Sequence, residues 1–283
     1  MMQRTSSPDL APRSTRLAPA DAAIFETFVV PRYLSLFGEL ALENVAEIED
    51  AAIVHFGCRT GYPDRGLAMR LPGAHILGLD ESPAALELAR VKAATMRDMI
   101  AEYRVFEGPY PTNLEAGAFT HALALHPLAA PEDRAQLIAE MARVVRPGGQ
   151  LIIALPLRGS FGEIADLLRE CALKTDDSGL TASVERAMSQ RPTVEAFSSE
   201  IEEAGFTDVD VTLRPAAVDF PNGRAFLEDP ITRLLLMPEF RKNMATEEVA
   251  KPFFYVRDAI DKYWSEGDFE LSVHVGCATA RRA

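Results

Sequence analysis

The sequence is short of cysteine, of basic residues and of long apolar runs, and each scarcity removes a class of protein. Three cysteines, Cys58, Cys171 and Cys277, lie too far apart for a disulfide framework or a structural zinc site, which points to a reducing, cytoplasmic setting. Lysine and arginine number 29 against 42 aspartates and glutamates, for a formal charge of −13. Neutralising phosphates needs clustered cations, so no nucleic-acid partner is expected. No stretch approaches the ~18 consecutive apolar residues of a membrane helix. Arg4, Arg13 and Arg16 stand among Ser, Pro and Asp where a signal peptide would be apolar, so the chain is expected neither to span a membrane nor to be exported. What is present is a chain of 283 residues, 48% apolar, long enough to bury a substantial core.

Residues 1–19 are rich in Ser, Pro and Arg without apolar periodicity, which predicts a disordered tail before one domain over 20–283. Within that domain, Ile24, Phe25, Phe28, Leu34, Phe37, Leu40 and Leu42 recur at helical spacing with Pro31 interrupting, giving a helical cover over 20–50. From 51 to 175 short apolar runs alternate with helical stretches, the pattern of a parallel sheet with helices on both faces. Strands are expected at 52–57, 74–79, 103–106, 119–125 and 150–155. Ser82 before Pro83 predicts an N-cap, and Ser160 with Glu163 has capping-box spacing. Thr193 to Ala204 reads as a helix ended by Gly205. Alternation at Val209, Val211 and Leu213, and from Phe269 to Cys277, adds two strands. The segment 214–268 between them is far longer than a hairpin needs and is expected to be a helical insertion or lid.

One segment carries chemistry. The apolar run Ile53-Val54-His55-Phe56 leads into Gly57-Cys58-Arg59-Thr60-Gly61 and then a helix, a unit that lets backbone approach a nucleotide closely. Asp80 ends the next strand, where a carboxylate can accept two hydrogen bonds from a ribose diol. Together these imply an adenosine-type cofactor, and Gly-x-x-x-Gly is not the Gly-x-Gly-x-x-Gly of dinucleotide dehydrogenases.

The succession of strand-Gly-Cys-x-Thr-Gly, Gly78-Leu79-Asp80-Glu81-Ser82-Pro83-x-Ala-Leu and Arg146-Pro147-Gly148-Gly149 resembles the motifs of class I S-adenosylmethionine-dependent methyltransferases, type 11/25-like, with a divergent first motif. The resemblance implies an α/β, Rossmann-like fold with a seven-stranded, mostly parallel sheet. It implies S-adenosyl-L-methionine as cofactor, with Gly57, Cys58, Arg59, Thr60, Gly61, Asp80, Glu81 and Tyr33 around it. This sequence departs from the family where His55 replaces an acidic residue, Arg59 a glycine, Pro109 part of an acidic site after the third strand, and Thr120 an aspartate. Arg59 is expected either to turn to solvent or to hold the cofactor's carboxylate.

His126, at the exit of the fourth strand, is the candidate general base, because an unperturbed imidazole titrates near working pH. His121 lies on the opposite face of that strand, so no metal site is expected. Cys58 reads as packing beneath the turn, and the aromatic residues from Phe220 to Trp264 mostly as core. Arg158, beyond the fifth strand, stays an open candidate. The implied function is methyl transfer to a small-molecule acceptor. The alternative is a non-catalytic protein of the same fold that binds a protein partner, which a large exposed apolar patch within 220–264 would favour.

Overall fold

The structure is a computed structural model that describes residues 16–127, 130–244 and 249–283. Most of the expected tail, residues 1–15, lies outside the described residues. Arg16 to Ala18 are described, and Leu17 is buried with its amide donating to Ser82 Oγ at 2.9 Å. The chain forms two compact units, one of residues 16–160, 190–216 and 273–283 and one that includes 161–189 and 217–272.

The first unit holds the sheet. Its strands are β1 (Ala52–Phe56), β2 (His75–Asp80), β3 (Ile100–Val105), β4 (Phe119–Leu125) and β5 (Val145–Pro156), with β6 (Phe206–Phe220) and β7 (Phe269–Arg282) added at one side. The order is β3-β2-β1-β4-β5-β7-β6. The first five run parallel, and β7 pairs antiparallel to β5. The expected seven-stranded, mostly parallel Rossmann-like sheet is what forms.

Side-chain alternation divides the sheet's two faces. On one face, Val54, Phe56, Leu77, Leu79, Ala122 and Ala124 pack with Leu137, Ile138 and Met141 of α5 (Pro131–Val144) and with Phe197 and Ile201 of α8 (Val194–Glu203). Burying a side chain such as Phe197 contributes about 2 kcal/mol. On the other face, Cys58 and Tyr103 pack with Leu86, Ala89 and Ala93 of α4 (Pro83–Ala94). Gly78 makes this second layer possible, because a Cβ there would sit 2.8 Å from Cys58 Sγ and 2.7 Å from Tyr103 Cε1.

The helix starts hold two corrections. Pro83 opens α4 as expected, yet Ser82 makes no cap and instead accepts the Leu17 amide. Ser160 and Glu163 form no capping box at α6 (Gly162–Thr175): Ser160 Oγ accepts the His274 amide at 2.9 Å, and Glu163 accepts from the amide and hydroxyl of Ser272. Ser82 met an amide of the N-terminal segment, and Ser160 and Glu163 met amides of β7, in place of their helix ends. Thr193 does cap α8, accepting from the Ala196 amide.

The second unit contains α6, α7 (Ser178–Ser189), α9 (Gly223–Glu228), a π-helical turn (Thr232–Leu236), α10 (Met237–Met244) and α11 (Ala250–Tyr263). Five of its phenylalanines are core, with Phe226 edge-on to Phe220 and Phe269 at centroid distances of 5.2 and 5.5 Å, and Phe240 against Phe253. Among the described residues of 220–264, Tyr263 is the large apolar side chain that is exposed. No described helix is long and apolar enough to cross a membrane.

Gly78→Ala is expected to destabilise the first unit by about 1–3 kcal/mol, the usual cost of overpacking. Urea unfolding followed by circular dichroism measures it, with unchanged stability counting against the packing described.

Candidate functional site

Chain order sets where a ligand can enter the sheet. From β1 the chain proceeds to β2 and β3 on one side and later to β4 and β5 on the other, so a crevice opens at the carboxyl ends of β1 and β4. The loop 57–61 leaves β1 into this crevice. Gly57 has φ +64° and Gly61 φ +76°, both in the left-handed region that glycine adopts without strain. The two glycines serve different ends. A Cβ on Gly61 would meet Ala89 Cβ at 2.9 Å and Tyr103 Oη at 3.0 Å, whereas one on Gly57 would meet nothing within 4 Å. Gly61 is a packing requirement, and exposed Gly57 faces open space.

Asp80 organises the loop. Its Oδ2 accepts the Arg59 amide at 3.0 Å and its Oδ1 the Ser82 amide at 2.8 Å, so one carboxylate pins the β1 loop and the entry to α4. Each oxygen keeps a second acceptor direction. Glu81 follows Asp80 in a bend and is partly exposed.

Arg59 lies between β1 and β4 with φ +47°, a left-handed conformation that costs a non-glycine residue about 1–2 kcal/mol. Its guanidinium does not turn to solvent. Nη1 donates to the Leu125 carbonyl and Nη2 to the His126 carbonyl, each at 3.0 Å, and the group lies 5.7 Å from the Phe25 ring centroid. Burial pulls its pKa down.

His126 is buried, also has positive φ, and its Nε2 lies 2.9 Å from Tyr33 Oη. Phe37 meets its ring edge-on at 5.2 Å. Tyr33 comes from a π-helical segment, Phe25–Leu34, and Phe37 from α2 (Ser35–Glu43), so the N-terminal helices do cover this end of the sheet. Burial, and then the charge of Arg59, lower the His126 pKa to about 3. An imidazole with so little proton affinity supplies little driving force for taking a proton at neutral pH, which counts against His126 as a general base.

The remaining positions sort by burial. Cys58 packs beneath the turn, and burial pushes its thiol well up, which keeps it protonated. Thr60 is fully buried, and its Oγ1 has no hydrogen-bond partner among the described residues. Its carbonyl accepts from Lys92 Nζ, which also pairs with Glu26 at 2.6 Å. Arg158 is exposed beyond β5.

A second network lies under the loop and was not anticipated. His55 Nδ1 is 2.7 Å from Asp64 Oδ1, and Tyr103 Oη donates to Asp64 Oδ2 at 2.9 Å. All three are buried, and Asp64 sits in the first turn of α3 (Asp64–Arg70), where the helix dipole favours a carboxylate. The negative charge absent at position 55 is supplied nine residues later. A lone aspartate after Tyr62-Pro63 carries no motif, so only proximity to His55 marks it.

Because the folded His126 pKa lies far below the unfolded value near 6.5, the unfolded chain binds more protons between those two pH values. His126 therefore contributes stability that is complete above about pH 6.5 and is lost progressively as pH falls towards 3. His126→Asn, which tolerates positive φ, should flatten this part of the acid-side decline in Tm. A pH series of thermal melts with a slope equal to wild type would count against a buried neutral imidazole.

Comparison with known proteins agrees with this geometry. The family described as "Methyltransferase domain" matches residues 54–153. The chain is 31% identical over 195 residues to "Methyltransferase GfsG" of Streptomyces halstedii, covering 63% of this chain and 64% of that protein. It is 33% identical over 119 residues to the "Ubiquinone biosynthesis O-methyltransferase" of Alkalilimnicola ehrlichii, covering 41% of this chain and 47% of that one. The chain thus spans under two thirds of the length of these curated relatives. Among solved structures, a phosphoethanolamine N-methyltransferase 2 of Haemonchus contortus in complex with S-adenosylhomocysteine superposes with a TM-score of 0.55 at 13% identity, covering 95% of this chain and 60% of that one. The comparisons thus support a class I S-adenosylmethionine-dependent methyltransferase domain over residues 54–153, in keeping with the sheet order, the β1 loop and Asp80.

Proposed function

We propose that this protein binds S-adenosylmethionine at the carboxyl ends of β1, β2 and β4 and transfers its methyl group to a small-molecule acceptor. The observation that carries the reading is the Asp80 carboxylate, held at the end of β2 by two amides and lying beside a Gly57 turn with open space above it. The residues fit the group: Asp80 has lone pairs for a ribose diol, Gly57 allows close approach of a ligand to backbone, and the buried Thr60 hydroxyl is without a partner.

When bound, the cofactor would supply an electrophilic methyl group on a sulfonium. The chain's own part is to bind, orient and exclude water, since holding two reactants in line removes most of the barrier for such a displacement. Gly57, Cys58, Arg59, Thr60, Gly61, Asp80 and Glu81 form the cofactor side, with Cys58 and Gly61 acting through packing. Tyr33, bonded to His126, caps the crevice from the N-terminal helices. His126, neutral across the working range, holds Tyr33 and presents its carbonyl to Arg59. The relatives named as small-molecule enzymes support this acceptor class. Three buried free cysteines support a reducing, cytoplasmic compartment.

The exposed apolar patch that a protein-binding role would need is not found among the described residues of 220–264. Isothermal titration calorimetry tests the proposal. Wild type is expected to bind S-adenosylmethionine and S-adenosylhomocysteine, and Asp80→Ala to bind both at least about tenfold more weakly, the scale of a lost charge-assisted hydrogen bond. Absence of binding by folded wild-type protein would sink it.

A further inference from the structure

Arg59 is an arginine without a counter-ion. Both of its recorded guanidinium bonds go to neutral carbonyls, and among the described residues no carboxylate touches the group. Asp80, the nearest acid to it in the loop, accepts from its backbone amide instead. Buried Arg134 is held by Glu200 through Nε and Nη2 at 2.5 and 2.6 Å and Arg143 is paired with Glu140, whereas Arg281 and Arg282 also donate to carbonyls alone, at the other end of the sheet beside the start of β5. In a sequence with 42 carboxylates and only 29 lysines and arginines, what sets Arg59 apart is that a half-buried guanidinium meeting none of them lies at the carboxyl ends of β1 and β4, where a ligand enters. Withdrawing a cation from water without an anion is unfavourable, and such a group commonly marks where a ligand's charge belongs.

The geometry around it narrows the class of ligand. A guanidinium has five N–H donors in a planar fork that matches a carboxylate, and two bonds leave the others free. The Phe25 ring lies against the group, and the strained φ of +47° is spent on aiming a long cationic side chain across the crevice where glycine would have sat without cost. The field of this cation is felt by its neighbour, since Arg59 is the charge that most lowers the His126 pKa after burial itself.

We propose that Arg59 is the carboxylate-recognising residue of this crevice, its free guanidinium donors receiving a carboxylate of the bound ligands. The inference rests on the reading that an adenosyl cofactor occupies the crevice. The carboxylate belongs either to the amino-acid portion of that cofactor or to the acceptor. Arg59 acts as a binding residue that sets ligand specificity, and the Leu125 and His126 carbonyls hold its fork in place.

The test compares wild type, Arg59→Gln and Arg59→Gly in two arms, glycine being the variant whose backbone takes positive φ without strain. In the first, calorimetry measures S-adenosylhomocysteine and 5′-methylthioadenosine, which share the adenosyl thioether and differ by the amino-acid portion. If the cofactor supplies the carboxylate, the preference for S-adenosylhomocysteine falls about tenfold or more in both variants. In the second, acetate, malonate and succinate are added to protein with and without saturating S-adenosylhomocysteine while Tm is followed. If the acceptor supplies it, S-adenosylhomocysteine binds all three proteins within about twofold, and carboxylates raise Tm of wild type alone. An unchanged preference together with Tm shifts independent of Arg59 overturns the proposal while leaving cofactor binding intact. Failure of wild type to bind any adenosyl compound refutes the cofactor reading instead, and the carboxylate arm without cofactor still decides the role of Arg59.

Discussion

The pair of amide hydrogen bonds accepted by Asp80 is the constraint on which the site depends. One oxygen holds the Arg59 amide and the other the Ser82 amide, so the end of β2 fixes the shape of the β1 loop and the start of α4 together. With its amide anchored there and its φ positive, Arg59 carries its side chain across to the carbonyl ends of β4. The crevice that the sheet's switch point opens is thereby crossed by a cation, and its walls are set by neutral carbonyls, Gly57 and the rings of Phe25, Tyr33 and Phe37. A carboxylate at this position does local structural work before any ligand arrives, which is why its removal must be judged by binding on a protein shown to be folded.

Charge in this protein has been relocated more than removed. The strand position where the family resemblance implies an acid is His55, and its Nδ1 meets Asp64 from the first turn of α3, with Tyr103 closing the other carboxylate oxygen. A buried aspartate is tolerable only where it is hydrogen-bonded, and here two side chains and a helix start provide for it. Gly78 is part of the same arrangement, since the Tyr103 ring occupies the volume its missing Cβ leaves. The residues at 55, 64, 78 and 103 therefore read as one packed unit under the loop. Arg59 is different, a charge in the crevice that among the described residues is bonded to neutral carbonyls and meets no carboxylate.

Much of the fold was legible because it rests on periodicity. Short apolar runs located the first five strands and alternation the last two, and the Thr193 signal located the α8 start, since these depend on neighbours within a turn. The same local logic failed at Ser82 and at Ser160 with Glu163. Cap-forming side chains can accept other amides in place of their helix ends, and there the amides came from Leu17, Ser272 and His274, far away in sequence. The candidate site divided in the same way. Gly57, Gly61 and Asp80 were readable because their roles follow from backbone conformation and strand ends. Asp64 and Tyr103 were not, because nothing but a contact across the sheet gives them a role.

The sequence by itself determined the α/β class, the strand that leads into a glycine turn, the acid at the end of the next strand and the resemblance to methyltransferases, all of which depend on local spacing. It also named the residues out of place, His55 and Arg59, without saying what they do. Contacts across the fold alone show that His55 is bonded to Asp64, that His126 is buried beside a cation that lowers its proton affinity, and that Arg59 points into the crevice. The reason is physical: periodicity is written along the chain, whereas proton affinity and charge pairing depend on distance and burial, which exist only once strands far apart in sequence lie side by side.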